Sequence, residues 1–265
     1  MQTDDLRNIG RRLFKEIAGL GYSDKIRVSA SSGAGGDVTF GIDKIAEDII
    51  LEGLRGLHEP LTAIFEEAGI VDMNGGGPKV IIDPVDGSKN AVSGIPFYCT
   101  SIAVAEGDRV DDIKLAYIIN LINGDEFWAA RDAGAFRNNG KISTQKDDTF
   151  SMVAYEAQSP GKDIASIMPV ISQSRKTRCF GATALDLAYL AAGAISVFIS
   201  PSPSRSFDFA AGWLIVKEAG GIFTDIEGNT IEQVRLGLER STPLLASGNK
   251  GLHLKTLKIL GAGGS

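Results

Sequence analysis

The sequence predicts a mixed fold, α+β in its first part and α/β in its second, and three features of its 265 residues carry that reading. Near the N-terminus, apolar residues recur at helical spacing. Between Leu61 and Tyr155, short apolar runs are separated by turns rich in Gly and Asn, as in a largely antiparallel sheet. From about Ser159, helical and strand-like segments alternate, as in layered α/β structure.

Leu6, Ile9, Leu13, Ile17 and Leu20 mark an opening amphipathic helix, with Gly21 as its stop. Ser29 to Asp37 is Ser, Ala and Gly with little to pack, so it reads as a mobile loop closing over the site. Ile42, Ile45, Ile49 and Leu54 mark a second helix. Leu61–Phe65 is a short strand ending in Glu66-Glu67. A Gly-rich turn, Asn74 to Pro78, leads to a strand Val80–Ile82 ending in Asp83. Further strands are expected at Tyr98–Ala105, Ile113–Ile119, Glu126–Ala130 and Met152–Tyr155, with Asn123-Gly124 and Asn138-Asn139-Gly140 as turns. Helix Thr183–Ala192 precedes strand Ser196–Ile199, and helix Phe207–Glu218 precedes strand Ile222–Thr224. Strand Leu244–Ala246 precedes a final helix, Lys250–Leu260. The change of texture divides the chain into halves at 1–158 and 159–265.

Composition narrows the function. Hydrophobic residues are 43% and charged residues 23%, which excludes disordered, collagen-like and coiled-coil chains. A net charge of −6 argues against a nucleic-acid partner. Cys99 and Cys179 cannot build a disulfide framework and suit a reduced, cytoplasmic setting. The mixed charges of Met1 to Arg12 do not form a signal peptide, and no apolar run approaches the ~18 residues of a membrane span.

Glu66, Asp83 and Asp86 each stand at or just after the end of an apolar strand, where functional groups are often presented. In Asp83-Pro84-Val85-Asp86-Gly87-Ser88, Pro84 removes a backbone donor and Gly87 permits a tight turn. Both carboxylates can then face one cleft. Converging carboxylates without basic partners repel, and hard divalent cations such as Mg²⁺ relieve that repulsion. The alternative is structural: Asp83 caps a turn and Asp86-Gly87 is a turn dipeptide. An EF-hand starting at Asp83 would need Glu where Gly94 stands, and neither a P-loop nor a G-x-S-x-G elbow is present. His58 and His253 are the only histidines, too few for a His-rich zinc site.

Four segments in order carry a resemblance. Gly36-Asp37-Val38-Thr39 through Asp43-Lys44, then Phe65-Glu66-Glu67, then Ile82 to Asn90, then Phe207-Asp208-Phe209-Ala210-Ala211-Gly212 with Glu218-Ala219-Gly220-Gly221, resemble the signatures of the inositol monophosphatase superfamily. The texture of the Gly-rich loop and of Asn90 to Phe97 is similar to the archaeal branch acting on both fructose 1,6-bisphosphate and inositol phosphates. Phe207 stands where Trp is usual and Ser88 where Thr is commoner.

The resemblance implies a layered α-β-α-β-α sandwich and Mg²⁺-dependent hydrolysis of sugar or polyol phosphates, with two or three ions per site and Mn²⁺ as a substitute. Glu66, Asp83 and the Val85 carbonyl would hold one ion, and Asp83, Asp86 and Asp208 a second. Glu66 would also orient water, Asp37 would help a third ion, and Asp43 and Ser88 would form a hydrogen-bonded pair. Asp86 and the amides of Gly87 and Ser88 would meet the phosphate. Gly181, Ala182, Thr183, Arg205 and Tyr155 would line the sugar pocket, and Arg175, Lys176 and Arg178, or Arg205, would meet a distal phosphate. A homodimer is implied. Structural readings stand beside these: Asp37 as a turn cap, Asp43 as a helix N-terminal charge, Asp208 as a helix cap, and the basic run as a solvated face. A 3′-phosphoadenosine phosphatase and a catalytically silent metal- or phosphate-binding regulator are the competing functions.

Overall fold

The computed structural model describes residues 1–20, 29–32 and 38–262, which contain seven α-helices and fifteen strands. The first sheet has eight strands: β3 (Leu61–Phe65), β4 (Gly69–Met73), β5 (Lys79–Asp86), β6 (Cys99–Ala105), β7 (Ile113–Asn120), β8 (Glu126–Ala130), β9 (Gly134–Arg137) and β10 (Gly140–Lys141). Their order is β10-β9-β8-β7-β6-β5-β3-β4, and only β3 and β5 run parallel. The second sheet has β11 (Val153–Tyr155), β12 (Thr177–Arg178), β13 (Val197–Arg205), β14 (Ile222–Thr224) and β15 (Arg240–Ser247), in the order β12-β11-β13-β15-β14.

Strand alternation assigns the layers. On β5 and β6, Val80, Ile82, Ile102 and Val104 turn to one face and pack with Leu6, Leu13, Ile42 and Ile50 of α1 (Thr3–Leu20) and α2 (Gly41–Gly56). Ile81, Ala103 and Ala105 turn to the other face. They join Leu185, Leu187, Phe209 and Trp213 of α5 (Thr183–Ala191) and α6 (Ser206–Glu218), together with Phe198 and Ala246 of the second sheet. The opposite face of that sheet, with Val197, Ile199 and Leu245, packs with Ile167 of α4 (Pro160–Ile171) and Leu252 of α7 (Lys250–Ala262). The result is helices, sheet, helices, sheet, helices. The expected five layers are present, and α5 and α6 are apolar nearly all round because both their faces are covered.

Some details differ from the sequence reading. Ser29–Ser32, expected within a mobile loop, forms strand β1, antiparallel to β2 (Val38–Phe40). Gly36 and Asp37 lie outside the described residues, as does Gly21. Met152–Tyr155, grouped with the antiparallel strands, instead runs parallel to β13 in the second sheet. The edge strand β4 and the helix α4, with Pro160 and Pro169 in its sequence, gave no clear periodic signal. Among the described residues, no helix is long and apolar enough to cross a membrane.

Candidate active site

The site begins with a defect in the ladder between β5 and β6. Asp83 pairs with Ser101 and Asp86 with Cys99, so β5 spends one residue more than its partner over that step. Residues three apart on a regular strand face opposite sides, and a bulge of one residue brings them round to the same side. Pro84 suits the bulge because it offers no N–H to the ladder. Its carbonyl accepts a 2.7 Å hydrogen bond from the Thr100 hydroxyl. Asp83 and Asp86 consequently line one cleft.

Gly87 turns the chain from β5 into the short helix α3 (Ser88–Ser93), with φ of 88°. A Cβ there would sit 3.0 Å from the Phe97 carbonyl oxygen and 3.1 Å from both the Ala182 Cβ and the Gly181 carbonyl oxygen. Gly87 therefore needs both its freedom and its missing side chain. Gly87→Ala is expected to lose about 1–2 kcal/mol to left-handed strain alone, and more to these contacts. A thermal melt indistinguishable from wild type would contradict the close approach. Asn90 ties the same junction, its amide donating to the carbonyls of Phe97 at 2.8 Å and Phe180 at 2.6 Å. The Asn closing the Asp83–Asn90 motif thus joins the two parts of the chain.

From the second part, Asp208 stands in the first turn of α6 and accepts the Arg205 N–H at 2.9 Å. It caps its helix and lines the cleft at once. Asp86 accepts the Ala184 N–H at 2.6 Å, at the start of α5. Glu66, just past β3, receives Arg205 Nη1 at 2.9 Å; that arginine is only 5% exposed. On α2, Asp43 accepts the Phe40 N–H at 2.7 Å and Glu47 accepts the Ala68 N–H at 2.9 Å. The hydrogen-bonded pair expected of Asp43 and Ser88 is not formed, because the Asp43 carboxylate is turned to the N-terminus of its own helix. Ser88 itself lines the cleft. Glu218 of the Glu-Ala-Gly-Gly motif caps a hairpin instead, accepting the N–H groups of Asp132 and Gly134.

These carboxyls are crowded. Burial pushes Asp83 well above the usual carboxylate range, and the charges of Glu66, Asp86 and Asp208 push it further. Burial and then Asp208 raise Asp86, which the Ala184 N–H only eases. Burial, Asp208 and Glu67 raise Glu66 against the pull of Arg205. Burial lifts Asp43 to about 7.

A divalent cation fits this set. Asp83 Oδ1 is buried with no hydrogen-bond partner, and an orphaned carboxylate oxygen among other carboxylates calls for a hard cation. Among the described residues, no three His, Cys, Asp or Glu side chains form a ready-made cage. A cation would compete with Arg205 for Glu66 and with the Ala184 amide for Asp86.

Glu66, Asp83, Val85, Asp86, Gly87, Ser88, Gly181, Thr183, Arg205 and Asp208 line this cleft, of about 160 Å³. Ala182 is buried beneath it against Gly87. Tyr155 is placed elsewhere: strand alternation turns it to the α4 and α7 side of its sheet, and its neighbour Glu156 enters the cleft. Glu156 accepts the Gly181 N–H at 3.0 Å, and burial lifts it to about 7. Arg175, Lys176 and Arg178 are exposed and are not among the lining residues. Arg178 stands beside Ala154 in the β11–β12 register. Gln158 and Arg240 line the cleft and escaped the sequence reading. Alternation along Val153 to Glu156 could have pointed to Glu156, whereas nothing local marks Arg240.

The inositol monophosphatase family model matches residues 8–261. A protein of Methanothermobacter thermautotrophicus named fructose-1,6-bisphosphatase/inositol-1-monophosphatase is 34% identical over 239 residues, covering 86% of this chain and 85% of its own. A Methanococcus maripaludis protein named bifunctional NADP phosphatase/NAD kinase is 29% identical over 281 residues, covering 96% of this chain and 48% of its own. Among solved structures, the extragenic suppressor protein suhB of Bartonella henselae superposes with a TM-score of 0.83 at 28% identity, covering 97% of each chain.

Proposed function

The chain belongs to the inositol monophosphatase family, and from that premise we propose that it hydrolyses phosphate monoesters of small sugars and polyols, fructose 1,6-bisphosphate and myo-inositol 1-phosphate foremost, with Mg²⁺ as its cation. The observation that carries this reading is the convergence of Glu66, Asp83, Asp86 and Asp208 from both parts of the chain on one cleft, with Asp83 Oδ1 buried and unpartnered among them.

Glu66, Asp83, Asp86, Asp208 and the carbonyl of Val85 hold the cation in this proposal. Bound Mg²⁺ supplies neutralisation of phosphoryl charge and activation of water at neutral pH. The remaining work falls to the chain. The Gly87 and Ser88 N–H groups, at the opening turn of α3, are donors without a helical partner and receive phosphoryl oxygens. Arg205 holds Glu66 by Oε1 and so fixes the carboxylate that orients the attacking water. Thr183 and Gly181 shape the sugar side of the cleft, and Glu156, steadied by the Gly181 N–H, accepts a sugar hydroxyl.

A phosphate-release panel tests this. Fructose 1,6-bisphosphate, myo-inositol 1-phosphate, NADP⁺ and 3′-phosphoadenosine 5′-phosphate are each offered with Mg²⁺ and with chelator. Release from the first two, dependent on Mg²⁺ or Mn²⁺, is expected. Preferential release from the nucleotides would move the substrate class, and no release from any of them would leave a phosphate-binding regulator.

A further inference from the structure

The cleft differs between its floor and its mouth. The floor is carboxylate, with Asp83 only 2% exposed. The mouth is built by residues outside every metal-binding motif: Glu156, Gln158 and Arg240. Gln158 follows β11 and Arg240 opens β15, yet both donate to one acceptor, the Pro203 carbonyl on β13, each at 3.3 Å. That shared anchor holds an amide and a guanidinium together at the rim.

Arg240 also stands directly opposite Arg205 in the β13–β15 register. Like charges facing across strands destabilise a sheet. Arg205 is turned inward to Glu66, whereas Arg240 is exposed at the rim. Beyond Arg240 the surface continues into a hollow of about 430 Å³ that Arg240 shares with Arg235, Glu239 and Ser241. A cation therefore marks the way out of a cleft whose interior is acidic.

We propose that Arg240, steadied with Gln158 on the Pro203 carbonyl, is a specificity-determining residue that receives the distal phosphate of a bisphosphorylated sugar while the scissile phosphate lies at the carboxylate floor. This rests on the phosphatase reading above. A second dianion gains nothing from the acid Glu156 and is best met by a cation at a distance from the floor. The planar fork of arginine meets two phosphate oxygens at once, which the ammonium of lysine does not. A monophosphate makes no such demand, so the contact separates the two substrate classes.

The test compares kcat/KM for fructose 1,6-bisphosphate and myo-inositol 1-phosphate, with Mg²⁺, in wild type, Arg240→Ala, Arg240→Lys and Arg178→Ala. Arg240→Ala is expected to lower the bisphosphate-to-monophosphate ratio about tenfold, mainly through KM, the low end for a charge-assisted contact. Arg240→Lys is expected to recover part of it. Because Arg240 is exposed, its replacement leaves the core intact, and a melt checks this. A ratio within twofold of wild type, or a larger shift in Arg178→Ala than in Arg240→Ala, overturns the proposal. Calorimetric binding of fructose 1,6-bisphosphate against fructose 6-phosphate gives a reading that needs no turnover. If wild type hydrolyses neither substrate, the phosphatase reading fails, and this arm decides alone. A preference for the bisphosphate that is about tenfold smaller in Arg240→Ala sustains the assignment, and an equal preference in the two proteins defeats it.

Discussion

Asp83→Asn is expected to abolish turnover while making the metal-stripped protein more stable. The two effects have one cause. Asp83 is buried, its Oδ1 has no partner, and Glu66, Asp86 and Asp208 all act to keep it uncharged. Asparagine keeps the shape and removes the acid, so it relieves the crowding in the protein without metal. It also removes the charge that fixes a cation. Loss of outer-shell partners already costs about 10–100-fold in metal sites, and a direct ligand should cost at least as much in kcat. Asp208→Asn should be similarly inactive but with a smaller gain in stability, because the charge of that carboxylate also favours the N-terminus of α6, where it accepts the Arg205 N–H. Phosphate release and melting in chelator, measured side by side, decide this. An active Asp83→Asn protein, or one whose chelated form melts well below wild type, would contradict the assignment of Asp83 as a cation ligand.

The layers were legible because burial follows period. Val80 and Ile82 against Ile81 is a plain alternation, and Leu6, Ile9, Leu13 and Ile17 form a plain helical stripe, so each announces its face. What was not legible depends on partners far along the chain. Met152–Tyr155 has the same apolar texture as the antiparallel strands, and only its pairing with Val197–Ile199 places it in the other sheet. Ser29–Ser32 has no apolar pattern, and it is a strand through backbone pairing with Val38–Phe40.

The candidate site divides in the same way. Its floor comes from compact signatures in which a proline, a glycine and two aspartates stand within five residues, and such a turn carries its chemistry on its surface. Its mouth comes from residues that are ordinary in sequence. Arg240 opens a strand after an unremarkable loop, and it faces the cleft because the β13–β15 register sets it opposite Arg205. The resemblance implies that Tyr155 lines the sugar pocket, but the strand period turns it away and presents Glu156. Sequence spacing finds groups that act together on one turn; it does not find groups brought together by register between distant strands.

The crowding of acids also fixes how stability should depend on pH. Glu66, Asp83, Asp86, Asp43, Glu47, Glu156 and Asp186 (a buried residue of α5) all have folded values raised above those of an unfolded chain, with burial the leading cause in each. An acid raised on folding is neutral in both states at low pH. As pH rises past about 4 the unfolded chain ionises first, so stability is lost progressively until the folded group ionises too. For Asp43 and Glu156 that window closes near 7. His253 opposes this: burial lowers it to about 4, so between there and the ordinary histidine value it loses stability as pH falls. Asp125 and Glu126, lowered by arginine partners against the cost of burial, act only in the acid range. Seven raised acids outweigh one histidine. In chelator, the protein should therefore melt higher at pH 5 than at pH 8. Cation binding requires the carboxylates charged, so Mg²⁺ should raise the melting temperature far more at pH 8 than at pH 5 and shrink or reverse the difference. Scanning calorimetry at both pH values, with chelator and with Mg²⁺, reads the four numbers. A chelated protein that is more stable at pH 8, or a Mg²⁺ shift of equal size at both, would mean that Glu66, Asp83 and Asp86 do not share one cation site.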